Sequence, residues 1–144
     1  PDSGDIDVLI KAKTNKTYHK FIESLQSNND IHDHYLKETL SLGPKKFMGI
    51  TDRITCSDIN ISPKHRRIDI MFTKPDEYPF AILYFTGSKD YNTKVRKIAL
   101  DQSLSINEYH LKHKDTGKKI DHHFQSERDI IEYLGIDYLE PIDR

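Results

Sequence analysis

At 144 residues, with 35% hydrophobic and 31% charged residues, the chain has room for one domain or two small subdomains around a real core. Its composition is polar but globular rather than disordered. No apolar run approaches the length of a membrane span and no basic-then-apolar leader is visible, so a soluble protein is expected.

The formal net charge of -1 hides an uneven distribution. Between Lys37 and Arg67 seven bases stand against three acids, whereas from Ser126 onward six acids stand against two bases. Such a basic segment reads either as a solvated face or as the contact surface of an enzyme that works on a polyanion. The lone Cys56 has no internal disulfide partner, suits a reducing compartment and reads as a structural thiol. Because the chain opens on Pro1 with no initiator Met, a fragment or processed chain is expected, with sequence upstream of Asp5 belonging to the working protein.

The first element is a strand, Gly4-Asp5-Ile6-Asp7 running into Val8, Leu9 and Ile10. Residues two apart on a strand share a face, so Asp5 and Asp7 lie side by side while Ile6, Val8 and Ile10 turn the other way. Their Cα atoms fall about 7 Å apart, from where both carboxylates can lean onto one hard cation. By spacing alone this is either a polar edge strand or half of a metal site. Thr14 to Asn29 reads as a helix, with Tyr18, Phe21, Ile22 and Leu25 at i, i+3, i+4 and i+7. From Ile31 to Thr55 the pattern turns to strands, with Leu42-Gly43-Pro44-Lys45 as the turn between His34–Leu40 and Lys46–Ile50. A polar loop from Ser57 to Lys64 then leads into the strand Arg66–Phe72.

That strand alternates cleanly, with Ile68, Ile70 and Phe72 on one face and Arg67, Asp69 and Met71 on the other. If it neighbours the first strand, three carboxylates converge, and Arg67 is placed to offset their charge or to grip a phosphate. Pro75, Asp76 and Glu77 are expected to open a helix whose Phe80–Phe85 run is buried until Thr86-Gly87. Ser88 caps a second helix, with Tyr91, Val95, Ile98 and Ala99 buried and with Asn92 and Arg96 on one exposed face, either solvated or functional. Ile106–Lys112 and Lys118–Phe124 read as strands around a turn at Asp115-Thr116-Gly117. Ser126 and Asp129 form a capping box for a short helix that carries Ile130, Ile131 and Leu134 and ends at Gly135. The expected organisation is a sheet subdomain followed by a smaller mixed one, with the boundary near Gly87.

Three Asp carboxylates point to Mg²⁺ or Mn²⁺ rather than zinc, since carboxylate oxygen is a hard ligand. His32-x-His34 and His122-His123 lack further ligands at metal spacing and read as surface or loop histidines. No Walker or Gly-x-Gly-x-x-Gly phosphate loop is present. A divalent-metal site beside a basic surface supports nucleotidyl transfer or phosphodiester hydrolysis without deciding between them.

Gly4-Asp5-Ile6-Asp7-Val8-Leu9-Ile10, Lys46-Phe47-Met48-Gly49, Arg66-Arg67-Ile68-Asp69-Ile70, Tyr84-Phe85-Thr86-Gly87-Ser88, Ile106-Asn107-Glu108-Tyr109 and Glu140-Pro141-Ile142-Asp143-Arg144 occur in that order. The ordered set resembles the catalytic part of family X DNA polymerases, the polymerase beta type, over nearly the whole chain. The resemblance implies an α+β fold: a nucleotidyltransferase palm (a mixed β-sheet with helices packed on it, residues 1–87) and a small α+β thumb-like, nucleotide-selecting subdomain (88–144). It implies a template-dependent DNA polymerase that adds deoxynucleotides to a primer 3′-hydroxyl, fills short gaps in base excision repair and acts as a monomer in the nucleus, or in the cytoplasm if viral or prokaryotic.

By the same resemblance Asp5 and Asp7 bridge two Mg²⁺ ions, for which Mn²⁺ can substitute, and Asp69 binds the catalytic one and helps activate the primer hydroxyl. Ser3 and Gly4 lie by the triphosphate, Tyr84 and Phe85 pack against the sugar, Gly87 gives close backbone approach and Asn92 faces the base. Arg67 contacts the primer-end phosphate, Arg96 the template strand and Lys46 the template backbone. Lys89 departs from the pattern, standing where the polymerase beta type has an acid that contacts the nucleotide. The Gly-Ser and Arg elements that the family places just before the Asp pair, its helix-hairpin-helix elements and its lyase domain are not among these residues, so the isolated 144 residues are expected to bind DNA weakly and polymerise poorly. The competing readings are a template-independent or RNA-directed nucleotidyltransferase and a polymerase-derived module that only binds DNA or a partner. The second would be marked by a missing metal ligand, and all three Asp are present.

Overall fold

The computed structural model of the chain describes residues 5–27, 36–51 and 65–144. Two compact units follow one another, Pro1–Phe72 and Thr73–Arg144.

In the first unit β1 (Asp5–Lys11), β2 (Leu36–Leu42), β3 (Lys46–Thr51) and β4 (Arg67–Thr73) form one sheet in the order β1-β4-β3-β2. Strands β2, β3 and β4 pair antiparallel, with Met48 opposite Asp69 and Lys46 opposite Met71. The neighbouring of β1 and β4 brings the two acidic strands together. Helix α1 (Lys16–Ser27) buries Tyr18 and Ile22 against Phe47, Ile70 and Phe72. Each such side chain contributes roughly 1.5–3 kcal/mol by leaving water. Phe21, expected on the same stripe, faces outward at 41% exposure. The Tyr18 hydroxyl donates to the Gly43 carbonyl (3.1 Å), tying the helix to the β2–β3 turn. Gly49 has a steric reason: a Cβ there would lie 2.8 Å from the Phe47 ring. The polar face of β4 is less open than its alternation suggests, since Asp69 and Met71 are as buried as the apolar face. The expected strand start at His34, the helix end at Asn28-Asn29 and the loop from Ser57 to Lys64 lie outside the described residues.

The second unit packs α2 (Tyr78–Thr86), α3 (Lys89–Asp101) and α4 (Glu127–Tyr133) around a two-stranded antiparallel ladder, β5 (Leu104–Ile106) with β6 (Leu111–His113). Phe80, Leu83, Val95, Leu111, Ile130 and Ile131 meet in its core. Helix α2 thus packs with the elements that follow Gly87, whereas the expected boundary near Gly87 separates them. It also begins at Tyr78 rather than at Pro75, because Glu77 folds back to accept from the Lys74 N–H (3.2 Å) and Pro79 takes the first turn. The hairpin is shifted from its expected place as well. The Asn107 side chain accepts from the backbone N–H groups of Tyr109 and His110 (3.0 and 2.9 Å), an Asx-type turn that ends β5 at Ile106 and starts β6 at Leu111. The expected return strand Lys118–Phe124 is reduced to one bridge, Lys112 to Lys119.

The capping of α3 and α4 is as expected. Ser88 Oγ accepts from the Tyr91 N–H, and Ser126 and Asp129 form a reciprocal capping box. The backbone N–H of Gln125, outweighing burial and joined by Ser126, holds the Asp129 carboxyl below its ordinary value of 3.8. A group held down in the folded state stabilises above its unfolded pKa, and the gain is lost as pH falls through the folded one. Asp129→Ala, which removes the carboxylate that accepts from the Gln125 and Ser126 N–H groups, should therefore destabilise the protein by about 1 kcal/mol at neutral pH. Urea titrations should show the penalty shrinking as pH drops below the ordinary carboxylate range.

Candidate active site

The site is built on β1 and β4. Asp5 and Asp7 come from the first strand and Asp69 from the second, and the sheet order makes those strands neighbours. Asp69 is only 5% exposed, yet its carboxylate is fully engaged. Arg67 Nε donates to its Oδ1 at 3.0 Å and Lys46 Nζ stands 3.2 Å from its Oδ2. The Arg67 guanidinium also donates to Asp5, so one cation joins both strands. Burial, then the negative charges of Asp69 and of Asp5, raises the Asp7 pKa above 3.8 against the opposing pull of Arg67 and Lys46. Three carboxylates therefore share one electrostatic neighbourhood in which two cations leave one negative charge over.

This donor set fits a hard divalent cation in charge and in chemistry. In side-chain arrangement it is held by Arg67 and Lys46: among the described residues no group of three acidic, histidine or cysteine side chains is arranged to hold an ion. Arg67 lies beside Asp69 where the alternation put it. Lys46 also stands beside Asp69, because the β3–β4 register sets it one pleat from that carboxylate. Of the basic run, Arg53, Lys64 and their neighbours between Asp52 and Lys64 lie outside the described residues, as do Ser3 and Gly4.

The second unit gathers the remaining candidates. Tyr84 is 43% exposed, against the expectation of a buried run, and its ring meets Phe85 edge-on with centroids 5.5 Å apart. Asn92 Nδ2 donates to the Tyr84 carbonyl (2.8 Å), and the Arg96 guanidinium lies 5.5 Å from the Tyr84 ring centroid. Tyr84, Asn92, Arg96 and Asn107 line one small cleft of about 20 Å³. Helical spacing brought Asn92 and Arg96 together. Asn107 was given no role from sequence, although its place after a strand and before Glu108-Tyr109 carried the Asx-turn signal. Gly87 ends α2 at φ 70°, a left-handed value that favours glycine.

Comparison with known proteins covers both units. The DNA polymerase beta palm profile matches residues 1–75 and the DNA polymerase beta thumb profile residues 81–144. DNA polymerase lambda of Rattus norvegicus is 27% identical over 98% of this chain and 26% of its own length. A DNA nucleotidylexotransferase of Xenopus laevis is 33% identical over 80% of this chain and 23% of its own. The crystal structure of Leishmania infantum polymerase beta in a ternary P/T complex superposes with a TM-score of 0.79 at 29% identity, covering 99% of this chain and 62% of that one. The chain thus spans about a quarter of the length of these curated relatives. With an acidic sheet edge in its first unit and a profile match in each unit, the chain belongs to the X family of DNA polymerases, of which it carries the polymerase beta palm and thumb.

Proposed function

We propose that this chain is the catalytic part of a template-dependent DNA polymerase that extends a primer 3′-hydroxyl with deoxynucleotides and fills short gaps in DNA repair. The observation that carries the proposal is the Asp5, Asp7 and Asp69 cluster with its partial neutralisation by Arg67 and Lys46. In this reading Asp5, Asp7 and Asp69 hold Mg²⁺, or Mn²⁺ in its place. When bound, the ions stabilise the attacking and leaving oxygens of an in-line phosphoryl transfer.

The chain's own residues do the rest. Asp69 orients the primer hydroxyl and takes part in drawing off its proton. Arg67 is a fork of donors suited to the primer-end phosphate. Lys46, 3.2 Å from Asp69, faces the template backbone, and Arg96 faces the template strand. Tyr84 and Phe85 form the wall against which the sugar packs, Asn92 faces the base, Gly87 admits close backbone approach, and Ser3 and Gly4 lie by the triphosphate. Lys89, at the start of α3, puts a positive charge where the polymerase beta pattern has an acid. The functional division into a catalytic part, residues 1–87, and a nucleotide-selecting part, residues 88–144, belongs to the same proposal.

The likeness to a DNA nucleotidylexotransferase gives a second reading, template-independent addition. Incorporation by the full-length protein on gapped DNA and on a single-stranded primer, each with deoxy- and ribonucleotides, separates the two. Template-matched deoxynucleotide addition on the gapped substrate is expected. Equal addition without a template supports the second reading, and no addition on either substrate contradicts both.

A further inference from the structure

Residues 110–123 hold four lysines against two aspartates, Asp115 and Asp121. Their backbone is fixed by a short ladder. The Ile120 N–H donates to the Leu111 carbonyl (3.0 Å) and the His113 N–H to the Lys118 carbonyl (2.9 Å), while the Gly117 N–H closes the turn on the His113 carbonyl (2.9 Å). The first two bonds flank the bridge between Lys112 and Lys119, whose members therefore do not bond each other. In such a pair the side chains share a face at the closer Cα spacing of about 4.5 Å, so two ammonium groups stand directly across the ladder. Both act on His110, two residues before Lys112: after burial, Lys119 and Lys112 push its pKa down, against Glu77 and Glu108. Among the described residues no carboxylate pairs with Lys112, Lys114, Lys118 or Lys119. Like charges directly opposite destabilise a ladder, and here nothing in the second unit neutralises them.

The same pairing opens the backbone. In a non-bonded pair each residue's own N–H and C=O point away from its partner. Those of Lys112 face β5, where Ser105 lies opposite. Those of Lys119 point outward and have no hydrogen-bond partner among the described residues. Lys118 and Lys119 are exposed, so residues 118–120 present an open strand edge, with Ile120 packed on the core side and Lys119 on the other. An occupant must supply an acceptor for the Lys119 N–H, a donor for its C=O and negative charge for the lysines. A phosphate backbone accepts but cannot donate, and a second copy paired edge to edge about a two-fold would set Lys119 against Lys119. We propose that residues 118–120 are a docking edge for an extended acidic segment of another protein, added as a strand. Its alternate Asp or Glu side chains lie on the face of Lys112 and Lys119, and its apolar side chains lie beside Ile120.

The test adds a short fluorescent peptide of alternating Glu and Val to the full-length protein, reading affinity by anisotropy and hydrogen exchange at the Lys119 amide. The peptide is expected to bind and to slow that exchange. Its Gln-for-Glu version and a version N-methylated on alternate residues should each bind about tenfold more weakly, the first for lack of charge and the second for lack of backbone pairing. Lys119→Glu sets opposite charges across the ladder from Lys112, which keeps the fold, and it should weaken the peptide about tenfold. No peptide binding, affinity unchanged by Lys119→Glu, or equal binding of the N-methylated peptide would overturn the proposal. Equal protection of the Lys119 amide by an oligothymidylate would assign the lysines to a nucleic acid, and protection that rises with protein concentration alone would assign the edge to a second copy; either also overturns it. None of these outcomes depends on nucleotide addition.

Discussion

Asp69→Asn in the full-length protein should lower single-turnover nucleotide addition by about 10³-fold or more, while DNA affinity stays within about twofold. Asn keeps the volume of the side chain and can still accept from Arg67, so the sheet edge survives. What is lost is the charge that balances Lys46 and Arg67, and with it, on the proposed function, the oxygen that orients the primer hydroxyl. On the proposed function DNA binding rests on surface cations rather than on this carboxylate, which is only 5% exposed. Rapid-quench measurement of addition beside a filter-binding isotherm checks both halves, and near-normal addition by the variant would remove Asp69 from the site.

The second large effect is on stability. The Arg144 side chain is fully buried and pairs through both terminal nitrogens with Glu127 at 2.9 and 3.0 Å, while its Nε donates to the Leu139 carbonyl. Its guanidinium also lies 4.9 Å from the Tyr91 ring centroid and 5.0 Å from that of Tyr138. Burial alone would disfavour the charge, but the Glu127 carboxylate outweighs it and the guanidinium is held protonated. Removing one partner strands the other charge without its counterion. Arg144→Met is therefore expected to cost about 3–5 kcal/mol, and Glu127→Leu a similar amount. The double variant Arg144→Met, Glu127→Leu should lose clearly less than the sum, since no charge is then left unpaired. Urea unfolding of the four proteins measures the coupling, and additive losses would show that the pair is not the source of the stability.

Much of the site was legible because it obeys the period of a strand. Asp5 and Asp7 two apart, and Arg67 and Asp69 two apart on an alternating strand, announce shared faces without any knowledge of the fold. What joins them is the placement of β1 beside β4, which no local pattern contains; the ordered family motifs supplied it instead. Lys46 one pleat along from Asp69, opposite Met71, is a matter of register between β3 and β4, and so was out of reach of spacing. The hairpin in the second unit was misplaced for a different reason. The apolar alternation around Ile106–Lys112 suggests a continuous strand, but Asn107 turns the backbone through its own side chain. The acidic stretch after Ser126 showed in sequence only as a local excess of acids. Glu127 is instead consumed by Arg144, 17 residues away, and Arg128 is shared between Glu132 and Glu140 at 3.7 and 3.4 Å. Lys46 and Arg67 are likewise spent on carboxylates, so the charge segregation seen in sequence is partly neutralised within each unit.

The central claim is that Asp5, Asp7 and Asp69 together hold a divalent cation. A Mn²⁺ titration of the full-length protein with primer-template DNA, followed by electron paramagnetic resonance, addresses it without relying on turnover. Wild-type protein should bind Mn²⁺ and release it to excess Mg²⁺, and Asp7→Asn should weaken binding by about tenfold or more. Mn²⁺ affinity unchanged by Asp7→Asn would contradict the account.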